Sequence, residues 1–263
     1  MNEQLPATAY LTAVARAEAT LDPACDLVDE YAARFAELCP PSVRAITAHT
    51  GGLSVVAART TTIDAMLTRA LERRAPGVFV NLGAGFDARP YRLDPGAWPP
   101  GCRVVEVDVA SILDVKDRLL PPAEAAVPIE RVRCDLRFLG DLDRALRPRT
   151  EGERLLLLAE GLLTYLPEPQ LAGLARTLAG FGASASWICD ALSTDSARVL
   201  TRASRGAGSK LTMYGLTDVR AFEENGWRCE DISLLPTARV QRSAGPGVGA
   251  TSQLPDCVLS LRR

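Results

Sequence analysis

Gly83 and Gly85, separated by one alanine at the end of the apolar run Val78-Phe79-Val80-Asn81-Leu82, are the residues whose type and spacing first suggest chemistry. Without a Cβ the backbone can turn tightly and let a ligand lie against it, and the N–H groups of a following helix would face the same place. With Ala88 as third position the stretch reads G-x-G-x-x-A, which fits a dinucleotide-binding turn as well as a methyl-donor turn. Carboxylates then recur at the ends of later apolar runs: Glu106 and Asp108, Asp135, and Glu160. An acid about 20 residues past such glycines is placed to accept hydrogen bonds from ribose hydroxyls, and either Glu106 or Asp108 could serve, because strand alternation aims both to one face. Glu160 ends the most apolar run of the chain, where an ionised carboxylate is costly unless something positive or hydrogen-bonding meets it. Arg59, in Ala58-Arg59-Thr60-Thr61-Thr62, could clamp a carboxylate by a bidentate contact. His49 is the only histidine, so a histidine-cluster metal site is excluded and a serine or cysteine nucleophile would have to use that one residue.

These groups need a scaffold, and the pattern supplies one. Residues 6 to about 72 read as helical, around Ala7–Ala19, Leu27–Leu38 and Val56–Leu71, and predict a cap or a dimerisation layer. From Gly77 short apolar strands alternate with amphipathic helices, the signature of a doubly wound parallel sheet. Strands are expected at Val78–Leu82, Arg103–Val107, Glu130–Cys134, Arg154–Ala159 and Ala185–Asp190, with helices at Ala110–Leu119 and Glu168–Leu178. Residues 193–216 read as a helix plus loop able to close over a substrate. After a helix near Thr217–Asn225, strands at Arg228–Leu234 and Asp256–Leu261 are joined only by a loop and must pair antiparallel. That closing hairpin is methyltransferase-like rather than dehydrogenase-like.

Composition narrows the partners. At 263 residues and 47% hydrophobic, the chain suits one α/β domain, 1–263, divided into a helical cap or lid at 1–75 and a core at 76–263 with the 193–216 substrate segment. A formal charge of -2, without long runs of one sign, offers no field for nucleic acid or an anionic membrane. No apolar run approaches the roughly 20 residues of a membrane span, and the first residues lack a signal-peptide pattern. The expectation is a cytoplasmic protein acting on a small molecule, with a homodimer left open. The seven cysteines are scattered, never C-x-x-C, and read as small core hydrophobes. No metal is expected.

Taken in order, Val80-Asn81-Leu82-Gly83-Ala84-Gly85-Phe86-Asp87-Ala88-Arg89-Pro90-Tyr91-Arg92-Leu93, Glu106-Val107-Asp108, Asp135-Leu136-Arg137 and Glu160-Gly161-Leu162-Leu163-Thr164-Tyr165-Leu166-Pro167 closely resemble the leucine carboxyl methyltransferase family. They look most like its bacterial branch of small-molecule O-methyltransferases associated with polyketide and other natural-product pathways. The resemblance covers roughly Ala57 to Leu178. It implies a class I methyltransferase, Rossmann-like fold with a seven-stranded, mostly parallel sheet, a C-terminal antiparallel hairpin and an N-terminal helical cap, binding S-adenosylmethionine. Gly83 and Gly85 would lie under the methionine and ribose, Asp108 would take the ribose hydroxyls, and Asp135 and Leu136 would frame the adenine. Arg59 would hold the cofactor's carboxylate, Glu160 would face its methionyl end, and Tyr165 would stand at the catalytic end, near the substrate entrance.

The acceptor follows from chemistry. A carboxylate is already ionised at neutral pH and needs no base, whereas a phenol with a pKa near 10 gains from one. The base-poor composition favours a carboxylate acceptor, anchored by arginines of the 198–205 segment such as Arg198 and Arg202. His49 is the candidate base of the alternative, a hydroxyl-directed enzyme. A cyclase that keeps the cofactor without transferring its methyl group would carry the same motifs.

Overall fold

The sheet is built from strands whose apolar residues alternate between two faces. The computed structural model describes residues 5–41, 43–44, 53–206, 210–235 and 254–263. Its strands are β1 (Val78–Leu82), β2 (Arg103–Asp108), β3 (Ile129–Arg133), β4 (Arg154–Ala159), β5 (Ser184–Ala191), β6 (Arg228–Leu234) and β7 (Cys257–Arg262). They form one seven-stranded sheet in the order β3-β2-β1-β4-β5-β7-β6. The first five run parallel, and β7 is antiparallel to both β5 and β6. The expected class, a mostly parallel sheet with an antiparallel close, is the one observed.

Helices α1 (Leu5–Leu21), α2 (Ala32–Ala36) and α3 (Leu53–Arg74) precede the sheet. Ile63, Met66, Leu67 and Leu71, at helical spacing on α3, pack against Phe79, Leu156, Leu158 and Ile188 on one face. The intervening residues Val78, Val80, Leu155, Leu157 and Trp187 point to the other face. There they meet Leu142 and Leu146 of α6 (Leu139–Thr150), and Leu171, Leu174 and Leu178 of α7 (Glu168–Ala179). Further helices are α4 (Arg89–Arg92), α5 (Ala110–Leu119), α8 (Thr194–Gly206) and α9 (Arg220–Glu223). Because β1 sits between β2 and β4, strand order reverses there, and a crevice opens beyond the carboxyl ends of those strands.

Three expectations need correction. The helix after the glycine turn is the four-residue α4, because Leu93 (ψ 148°) and Asp94 (ψ 127°) are extended ahead of Pro95. Leu27–Leu38 shortens to α2, which starts after Tyr31, and ahead of it Asp29 Oδ1 accepts the Ala32 N–H at 3.1 Å. Helix α6, absent from the sequence reading, fills the crossover from β3 to β4.

Candidate functional site

A cavity of about 490 Å³ lies over the carboxyl ends of β1 to β4, within the size range of a small-molecule site. At its floor, Gly83 and Gly85 adopt φ of +64° and +45°, a region costly for other residues. A Cβ on Gly83 would stand 3.3 Å from the Leu162 side chain. The amides of the turn face the sheet. Gly83 and Ala84 donate to the Val107 carbonyl at 2.9 and 3.1 Å, and Gly85 donates to Asp108 Oδ2 at 2.7 Å. The turn is therefore laced to β2, and its amides are not a free anion cradle.

This lacing separates the two candidate acids of β2. Asp108 lines the cavity, and its Oδ1 accepts the Val109 N–H at 2.7 Å at the start of α5. Burial raises its pKa against the pull of these two amides. Glu106 is wholly buried beneath, ion-paired to Lys116 Nζ and Arg131 Nε at 2.8 Å each, and does not line the cavity. The carboxylate placed for a ligand is Asp108.

Charged groups converge where β4 and β5 end. Arg59 Nε donates to Glu160 Oε1 at 3.1 Å and its NH1 faces Asp190 Oδ2 at 3.3 Å. Glu160 also takes Thr60 Oγ1 at 3.1 Å and Arg89 NH1 at 2.8 Å. Arg89 is held in turn by Asp64 and Asp87, and Asp87 accepts from Asn81 Nδ2 at 2.7 Å. Burial opposes ionisation of Glu160, but Arg89 and Arg59 override it and hold the carboxyl well below its ordinary range. Arg59 is likewise kept charged, burial being outweighed by Asp190 and Glu160. Its NH2 is left without a hydrogen-bond partner among the described residues, on a side chain that lines the cavity.

Helix α1 closes the top. Thr8, Thr12 and Arg16, spaced four apart, share one face and all line the cavity. Arg16 is fixed by Nε to Asp29 Oδ2 and by NH2 to the Phe86 carbonyl, both at 2.8 Å, and its NH1 has no partner among the described residues. Tyr165, in the 3₁₀ turn Leu163–Tyr165, lines the cavity and is hydrogen-bonded to Thr8. Burial pushes its pKa up, so it stays a protonated phenol. Asp135 and Leu136 line the far end, with Asp135 gripped by Arg137 Nε at 2.9 Å and its pKa lowered by that contact.

Arg59, Gly83, Gly85, Asp108, Asp135, Leu136, Glu160 and Tyr165 thus share one cavity lining. His49 lies outside the described residues. Arg198 and Arg202 do not line the cavity. Arg198 is 75% exposed and pairs with Asp195 one turn earlier on α8, and Arg202 is likewise exposed. The sequence reading missed Arg16, Arg89 and Asp190. Asp190 carried a usable signal, an acid at the end of β5 in the position Asp108 and Glu160 hold on β2 and β4. Arg16 carried only its helical spacing from Thr8 and Thr12. No described helix is long and apolar enough to cross a membrane.

The chain matches the family described as Leucine carboxyl methyltransferase over residues 9–179. A protein of Frankia alni that carries the name of an S-adenosyl-L-methionine-dependent methyltransferase is 32% identical over 194 residues, 71% of this chain and 65% of the relative. The chain spans about two-thirds of the length of the curated relatives it matches. Among solved structures, a DUF574-family protein from Streptomyces avermitilis superposes with a TM-score of 0.64 at 13% identity, covering 90% of this chain and 92% of that one. Magnesium protoporphyrin IX methyltransferase from Synechocystis, solved with bound S-adenosylhomocysteine, gives 0.51 at 14% identity, covering 80% and 85%. At such identities the likeness concerns the fold alone.

Proposed function

Because the chain belongs to the leucine carboxyl methyltransferase family, we propose that its cavity binds S-adenosylmethionine and that the protein methylates a small-molecule carboxylate, in natural-product biosynthesis. One arrangement carries this reading. Arg59, the Gly83–Gly85 turn, Asp108, Asp135 with Leu136, and Glu160 line a single cavity at the switch point of the sheet, roofed by α1. The described helices α1, α2 and α3 act in this reading as a cap.

The lining fits the cofactor group by group. Arg59 NH2 and Arg16 NH1, both unpartnered among the described residues, are donors for a carboxylate. Asp108 has spent one lone pair of each oxygen on a backbone amide and keeps the others for a diol. Leu136 offers an apolar face to a base, beside an Asp135 carboxylate whose orientation Arg137 fixes. A side chain on Gly83 would fill the space against Leu162. When bound, S-adenosylmethionine supplies an electrophilic methyl group on a positively charged sulfur.

The ionisation of the lining supports this acceptor class. Glu160 and Asp135 are held ionised by arginines, so neither is a ready proton acceptor. Asp108 is committed in this reading to the cofactor's diol, and Tyr165 stays protonated and carries no phenolate to act as a base. A site whose described groups offer no poised base suits an acceptor that arrives ionised, and favours a carboxylate over a phenol. Release of S-adenosylhomocysteine is the assay, run with panels of small carboxylic acids and of phenols. Turnover with acids is expected. Turnover with phenols alone overturns the acceptor class, and cofactor binding with product formation but no S-adenosylhomocysteine points to the non-methylating cyclase. Failure to bind S-adenosylmethionine in titration calorimetry overturns the whole reading.

A further inference from the structure

We propose that Asp190 is a positioning residue that decides which nitrogen of Arg59 faces the cofactor's amino-acid end, without itself touching the ligand. The inference rests on the preceding assignment of Arg59 to that end. Asp190 is buried and does not line the cavity. It lies one residue past the Ala159–Cys189 pair of the parallel β4–β5 register, beside Glu160 at the neighbouring strand end. Burial and the neighbouring Glu160 raise the pKa of Asp190, and Arg59, paired with both carboxylates, is the cation that opposes this.

Each oxygen of Asp190 has a separate task. Oδ2 faces Arg59 NH1 at 3.3 Å, while Oδ1 accepts the Gly161 N–H at 2.6 Å. Glu160 alone would hold the guanidinium by Nε and leave it free to swing about that bond. With NH1 also held, the plane of the group is set and NH2 is the nitrogen left for the cavity. Gly161, at φ +65°, brings the backbone against the same guanidinium, where a Cβ would lie 3.4 Å from NH2. The carboxylate of Asp190 thus fixes the arginine and the turn behind it, from a strand paired on both sides.

The test compares two probes, S-adenosylhomocysteine and 5′-methylthioadenosine, which lacks the amino-acid moiety. The wild-type chain should prefer the former strongly in calorimetry. Asp190→Asn should cut that preference about tenfold, the scale of one charge-assisted contact, while affinity for methylthioadenosine stays within about twofold. In an Arg59→Gln background Asp190→Asn should add nothing further. Equal loss for both probes, unchanged preference, or additive losses would each overturn the inference while leaving the cofactor reading intact. A wild-type chain that binds both probes equally would overturn the assignment of Arg59 and the inference with it. Should the neutral variant fail to fold, Asp190→Glu serves: keeping the charge, it should keep most of the preference, and losing it overturns the proposal.

Discussion

Replacing Glu106 by Gln removes a charge from the middle of the core at almost constant volume, so cavity terms are small and electrostatics dominate. In the wild-type chain Lys116 and Glu106 are both 0% exposed and 2.8 Å apart. Arg131 would keep Asp117 and the Tyr91 hydroxyl after the change, but Lys116 has no other ion-pair partner among the described residues. Breaking one side of a buried pair costs about 3–5 kcal/mol, and since a glutamine oxygen can still accept one hydrogen bond, about 3 kcal/mol is expected here. For a chain of this size that lowers Tm by about 6–12 °C. Urea unfolding at pH 7 should show this deficit, while affinity for S-adenosylhomocysteine stays near wild type. A deficit below about 1 kcal/mol or a tenfold loss of affinity would refute the separation of Glu106 from the site.

Asp108→Ala reverses that signature. It should weaken S-adenosylhomocysteine binding about tenfold to a hundredfold in calorimetry, having removed a charged acceptor and the lacing of the Gly85 turn. Glu160, whose folded pKa is depressed by Arg89 and Arg59, contributes stability that is full above the ordinary glutamate value of about 4.3 and fades as pH falls through the folded value. The stability difference between wild type and Glu160→Gln, measured by denaturant unfolding, should hold constant from pH 8 to about pH 5 and shrink below it; a widening gap would contradict the pairing. Arg198→Ala and Arg202→Ala should change kcat/KM less than about twofold, as solvated surface positions do, and a tenfold fall would return them to the substrate.

The strand-end logic was legible because it is local. β1, β4 and β6 have the bounds that alternation and flanking glycines suggest, and Asp108 and Glu160 sit where apolar runs stop. Helix α6 was hidden because Leu139, Leu142 and Leu146 stand among charged residues, with Pro148 inside the last turn. Ion-pair partners were hidden for a different reason. Glu160 meets Arg59 across 101 residues of chain and Asp190 meets it across 131, separations on which no periodicity reports. Arg198 and Arg202 lie outside the cavity lining on an exposed face of α8, as basic residues more often do than aim inward.

The cap and the glycine turn are one structural unit, which explains why the turn does not need a long helix behind it. Phe86, immediately after Gly85, stacks on Phe35 of α2 at 4.3 Å with a 10° interplanar angle and meets Tyr10 of α1 edge-on at 4.9 Å. Its carbonyl accepts from Arg16, whose Nε is anchored by Asp29. A side chain clamped between two cap aromatics and a carbonyl bonded to a cap arginine restrain the backbone at the residue where the positive-φ turn ends. In a fold with a long helix after the glycines, that helix would hold the turn in place. Here α4 is four residues long, and the restraint comes from α1 and α2 on one side and from Asp108 on the other. The side chains of α1 that line the cavity therefore share a helix with the groups that shape its floor, and any displacement of the cap moves both together.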